Sequence, residues 1–191
     1  DGWDHHSRRK AAKQFKINRN EMELRHKLNF DTFEEGKLTL NEYLDRVIFC
    51  EKRSFTKTDF SSFMYAQSKP YPKMIQLIVD LKLKYGLKIG VVSNEARELN
   101  SFRINKFKLN QFVDFFISSC FVHLRKPDND IYYLAMNVAQ VQPKNILYIE
   151  NTAMFVEVAE ALGIQSICHT DFKSTQKKLS AFGLHSDEVH S

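Results

Sequence analysis

From residue 71 onward, short β-rich runs alternate with segments of helical spacing, a pattern that folds as a parallel sheet with helices on its faces. The runs are "LKIGVV" (87–92), "VDFFISS" (113–119), "ILYI" (146–149) and "IQSICH" (164–169). Between them, 96–107, 128–140 and 153–162 carry the spacing of amphipathic helices, with Ile131, Leu134, Ala135 and Val138 predicted to face inward. Met74, Ile78, Leu81 and Tyr85 predict one more helix ahead of the first strand. The expected fold class is α/β, with a parallel sheet between two helical layers.

Upstream the pattern differs. Lys69-Pro70-Tyr71-Pro72 cannot lie inside a helix and marks a boundary. Asn20-x-x-Glu23 and Thr39-x-x-Glu42 both read as capping boxes, the first leading into Met22, Leu24 and Leu28, and Gly36 separates the two helices. Phe60, Phe63 and Met64 suggest a third helix, and nothing there alternates like a strand. The expected division is a helical domain over 1–70 and an α/β domain over 71–191. The tail beyond Gly183 is polar and is expected to be loose.

The bulk numbers narrow the function classes. The 191 residues suffice for one core plus a small accessory domain, and apolar residues make up 43%. The formal charge of +5 suits an anionic substrate. The basic residues are scattered rather than clustered with aromatics, which speaks against nucleic acid. No apolar run approaches the roughly 20 residues of a membrane helix. Cys50, Cys120 and Cys168 form no metal-binding pattern and read as reduced thiols of a cytoplasmic protein.

What stands at the strand ends is more telling, because ligands of parallel sheets bind at the carboxyl ends of the strands. The first run ends in Ser93-Asn94. The second leads through a loop to Arg125-Lys126-Pro127-Asp128. The third ends in Glu150-Asn151. Each pair alone is more often a cap or a turn. Taken in order, they supply a hydroxyl, an ammonium and a carboxylate/amide pair at one expected sheet edge. A phosphate with a hard cation needs that assortment: donors for its oxygens, a compact positive charge, and oxygen ligands for Mg²⁺.

The stretches "GVVSNE", "RKPDNDIYYLAM" and "ILYIENTAMFVEVAEALGI" resemble motifs II, III and IV of the haloacid dehalogenase-like hydrolases, in the branch with a helical cap after the first motif. The resemblance covers about 71–170, and the helical segment 4–68 fits the cap. It implies a Rossmann-like core and a Mg²⁺-dependent phosphatase acting on a small phosphomonoester, such as a sugar phosphate, through an aspartyl-phosphate. By position, Ser93 and Asn94 would form the phosphate site and Lys126 would bridge nucleophile and phosphate. Glu150 and Asn151 would sit at the metal. His5, His6, Arg8, Arg9 and Arg19 are candidate substrate contacts from the cap.

Two departures qualify the resemblance. The family's first motif, an Asp-x-Asp ending the first strand, has no counterpart here, and Asp1-Gly2-Trp3 align better at the entry to the cap. The strands at 87–92 and 146–149 would then face each other across one strand position, ~4.8 Å from unpaired backbone on each side. A leading segment of about 10–20 residues is expected ahead of Asp1 to fill it. Second, the family carries two acids where this chain has Glu150-Asn151, so a weaker Mg²⁺ site is expected. A non-catalytic relative that binds a phosphorylated ligand or a protein partner stands as the alternative, and a dehalogenase is a more distant one.

Overall fold

The computed structural model describes residues 3–186, so Asp1, Gly2 and the end of the polar tail lie outside the described residues. In chain order the elements are α1 (His5–Gln14), α2 (Arg19–Glu34), α3 (Leu40–Val47), α4 (Lys57–Ala66), α5 (Pro72–Tyr85), β1 (Gly90–Ser93), α6 (Arg97–Lys106), β2 (Phe115–Ser118), α7 (Ser119–Val122), α8 (Asn129–Ala139), β3 (Leu147–Glu150), α9 (Ala153–Ala161), β4 (Gln165–Cys168) and α10 (Phe172–Ala181). This is the expected α/β class.

The chain forms two compact units. The first holds residues up to Pro70 with Ser93–Asn110 and Ser118–Arg125. The second holds Tyr71–Val92, Gln111–Ile117 and the residues from Lys126 on.

In the first unit, α1 to α4 surround a core of Met22, Phe33, Tyr43, Leu44, Phe60 and Met64, joined by Leu99 from α6. The Thr39–Glu42 capping box forms as predicted, and Thr56 with Asp59 makes a second one. The predicted box at Asn20 does not form. The helix starts two residues earlier, and Asn18 is its cap, accepting from the N–H groups of Asn20 and Glu21 at 3.0 and 3.2 Å. The expected inward face of α2 is also corrected. Met22, His26 and Phe33 are buried, whereas Leu24 and Leu28 are 59% and 74% exposed. Both leucines lie two positions from an inward residue, which turns them about 200° around the helix.

In the second unit, Pro72 opens α5 at its first turn and Gly86 ends it in the left-handed conformation. β3 and β4 pair in parallel, Leu147 opposite Gln165 and Glu150 opposite Cys168. β1 pairs with β2 in a separate two-stranded sheet, so β1 and β3 do not pair with each other. Residues of both strands, Gly90, Val92, Leu147 and Ile149 among them, line a cavity of about 530 Å³. Val92, Leu147 and Ile149 are only half-buried, although strands of a two-faced parallel sheet are ordinarily covered. Beneath β4, Ile167 packs on Leu77, Leu81 and Leu179, the last from the unpredicted α10. On α8 the buried residues are Ile131, Tyr132 and Ala139, whereas Val138, predicted inward, is 45% exposed. Ala139 takes the inward place because it stands two turns along from Tyr132.

Candidate active site

In the second unit, the end of β3 builds a buried polar cluster around Lys126. Lys126 is 6% exposed and Glu150 9% exposed. Lys126 Nζ donates to Glu150 Oε2 at 2.5 Å and to the Tyr148 hydroxyl at 3.2 Å. The Tyr148 hydroxyl donates to the same Oε2 at 2.8 Å. The other carboxylate oxygen, Oε1, accepts from the backbone N–H groups of Asn151 and Thr152 at 2.8 and 2.9 Å. Lys126 also lies 4.9 Å from the centre of the Phe155 ring, a favourable place for a desolvated cation.

Burial by itself would raise the Glu150 carboxyl. Hydrogen bonding and charge from Lys126, with the Thr152 N–H and the Tyr148 hydroxyl, hold it below the ordinary glutamate value. The Tyr148 phenol is pushed well above its usual range by burial and by the Glu150 charge beside it. A cation, an anion and a neutral phenol are thus fixed together at the carboxyl end of one strand. Of the predicted residues, Lys126 and Glu150 are in direct contact. Asn151 meets Glu150 through its backbone, and the residue is exposed. Tyr148 is the contributor that sequence reading passed over. It stands two positions before Glu150, on the same side of the strand, and that period was readable.

Ser93 and Asn94 belong to the first unit. Ser93 Oγ donates to Ser118 Oγ at 3.3 Å, linking the last residues of β1 and β2. The following turn is tied down by Ser119, whose hydroxyl accepts from the Glu95 N–H at 3.0 Å and donates to the Glu34 carbonyl at 2.6 Å. Arg125 reaches Asp31 at 2.6 Å and Glu34 at 2.7 Å. It serves α2 in the first unit, whereas Lys126, the next residue, belongs to the second. Burial pushes the Glu34 carboxyl up to about 7 against the opposing pull of Arg125. The folded chain therefore binds the Glu34 proton more tightly than the unfolded chain does. The stability this residue contributes is full below the ordinary glutamate value and is lost as pH rises towards 7. Glu34→Gln should flatten that decline, as read from urea midpoints at pH 5 and pH 8.

Among the described residues no group of three or more His, Cys, Asp or Glu could hold a metal ion. Likewise none of their helices is long and apolar enough to cross a membrane.

Comparison with known proteins identifies the class of the chain. The chain belongs to the haloacid dehalogenase-like hydrolases, whose family model matches residues 6–169. It is 24% identical over 163 residues to flavin mononucleotide hydrolase 1 of Arabidopsis thaliana, covering 85% of this chain and 65% of that protein. It is 24% identical over 133 residues to a phosphorylated carbohydrates phosphatase of Thermotoga maritima, covering 70% of this chain and 57% of that protein. The chain thus spans less than two thirds of each of these relatives. A HAD family enzyme of Bacteroides thetaiotaomicron, crystallised as a mutant with magnesium and inorganic phosphate, superposes with a TM-score of 0.71 at 18% identity. That match covers 90% of this chain and 91% of the other.

Proposed function

We propose that this hydrolase is a phosphatase of small phosphomonoesters, and the observation that carries the reading is the buried Lys126–Glu150–Tyr148 cluster. A lysine held in place by a carboxylate needs no reorientation when a phosphate arrives, and in a dry site its charge stabilises the phosphoryl oxygens strongly. Ser93 and Asn94 are the proposed phosphate donors, through the Ser93 hydroxyl and the backbone that follows it. Glu150 fixes the ammonium, and the Tyr148 hydroxyl keeps the carboxylate hydrogen-bonded and charged. The nucleophilic carboxylate of such a reaction is assigned to none of these residues.

Magnesium fits these residues as a partial set. Glu150 offers a carboxylate already engaged by two side chains and two backbone donors, and Asn151 offers an uncharged carbonyl. Bound there, the ion would neutralise phosphate charge. Weak binding is expected, and Asn151→Asp should tighten it on the order of tenfold, about 1.4 kcal/mol. Calorimetric titration with Mg²⁺ alone checks this without any turnover. Three free cysteines suit the proposed cytoplasmic location.

The same incomplete metal set favours the second reading, a non-catalytic relative that binds a phosphorylated ligand or a protein partner. Hydrolysis of p-nitrophenyl phosphate by the natural full-length protein separates the two.

A further inference from the structure

A carboxylate offers about four lone-pair positions, two on each oxygen. At Glu150 all of them are taken. Lys126 Nζ and the Tyr148 hydroxyl fill Oε2 at 2.5 and 2.8 Å. The Asn151 and Thr152 N–H groups fill Oε1 at 2.8 and 2.9 Å. A divalent cation binds an oxygen through a lone pair, at ~2.0–2.1 Å for Mg²⁺, and a lone pair engaged by a hydrogen is closed to it. An ion that ligates Glu150 directly must therefore displace one of these donors.

The donors are not equally displaceable. Asn151 and Thr152 follow Glu150 in the chain, and their N–H groups are set by the turn into α9, which Thr152 caps. Lys126 and Glu150 are both buried, and parting them would leave two charges unpaired. The Tyr148 hydroxyl is neutral, and its hydrogen turns about the C–O bond. Turning that hydrogen away from Oε2 gives up one uncharged donor and leaves the hydroxyl accepting from Lys126 at 3.2 Å.

We infer that Tyr148 sets the metal affinity of this site: its hydroxyl holds the one lone pair of Glu150 that a divalent cation can take, and the ion binds by exchange with it. The inference rests on the reading of Glu150 and Asn151 as metal-holding residues given above, and adds the residue that limits their affinity. Asn151 weakens the site because it brings no charge. Tyr148 weakens it because it occupies a ligand position, which is a separate cause with a separate remedy.

The test titrates the natural full-length protein with Mg²⁺ alone, as wild type, Tyr148→Phe and Asn151→Asp, by calorimetry and by near-ultraviolet difference spectra. Tyr148→Phe removes only the hydroxyl and keeps the ring, which stands edge-on to Tyr132 with centres 5.9 Å apart. It should bind Mg²⁺ at least fivefold more tightly than wild type, and measurable binding by this variant alone counts as the same result. In wild type, bound Mg²⁺ should shift a tyrosine band to shorter wavelength, as one phenol stops donating to a carboxylate, and Tyr148→Phe should lack that shift. Equal or weaker binding by Tyr148→Phe overturns the inference. So does Mg²⁺ that binds wild type and leaves the tyrosine spectrum unchanged, a result that decides the matter without any variant. If Asn151→Asp binds more tightly than wild type and Tyr148→Phe does not, the inference fails alone. If Tyr148→Phe binds more tightly and Asn151→Asp does not, the inference stands and Asn151 leaves the metal set. Mg²⁺ that binds none of the three proteins overturns both.

Discussion

Lys126→Ala is expected to lower stability by about 3–5 kcal/mol and turnover by two to three orders of magnitude. The stability loss follows from what is left behind. Lys126 and Glu150 are each 8% exposed at the side chain, and removing the ammonium strands a buried carboxylate. The cost should depend on pH. In the wild type the Glu150 carboxyl is held low, so its stabilising share is present above the ordinary glutamate value and is lost as pH falls through the lowered one. In the variant, burial is opposed only by the Tyr148 hydroxyl and the backbone N–H groups, and the balance moves towards the protonated acid. The gap between the two proteins should therefore shrink as pH falls from 7 towards 4. Lys126→Met combined with Glu150→Gln should recover most of the stability and none of the activity, since it removes both charges together. Arg125→Ala should cost far less turnover, because Arg125 binds Asp31 and Glu34. Urea unfolding and phosphatase assays on the natural full-length protein check all three variants.

Tyr43→Ala should be as destabilising, by about 4–5 kcal/mol. Tyr43 is fully buried, stacks on Phe33 at 4.1 Å between centroids, and fills the centre of the helical core. Its hydroxyl accepts from Trp3 Nε1 at 2.9 Å and bonds His26 Nδ1 at 2.8 Å. Truncation therefore opens a cavity and strips two ring nitrogens of a partner. Tyr43→Phe isolates the second effect, and about 1–3 kcal/mol is expected from it. Because the Trp3 ring nitrogen loses its Tyr43 partner in both variants, both should also shift the Trp3 emission. Urea unfolding followed by far-UV circular dichroism separates the stability change from that local signal.

The sheet-forming half was legible because its strands are short, β-branched and bounded by turn residues, and because parallel sheets leave few alternatives. Thr39 and Glu42 gave a cap correctly because both halves of the box lie within one turn. Asn20 misled for the opposite reason: two asparagines stand two apart, and local chemistry does not choose between them. Leu24 and Leu28 misled because apolar residues in a surface helix need not face the core. At the site, Lys126 and Glu150 could be named from their places at strand ends. Their direct bond could not be, since it depends on how far the loop after β2 folds back onto β3. The partners of Arg125 are of the same kind, lying 91 and 94 residues away in the chain.

The central claim is that the buried lysine cluster serves phosphoryl transfer, and turnover of p-nitrophenyl phosphate by the natural full-length protein, with and without Mg²⁺, tests it most directly. The account predicts metal-dependent hydrolysis that falls at least a hundredfold in Lys126→Ala and is far less affected in Arg125→Ala. Undetectable hydrolysis of this and other phosphomonoesters by a folded wild-type protein, or equal losses in the two variants, would contradict it.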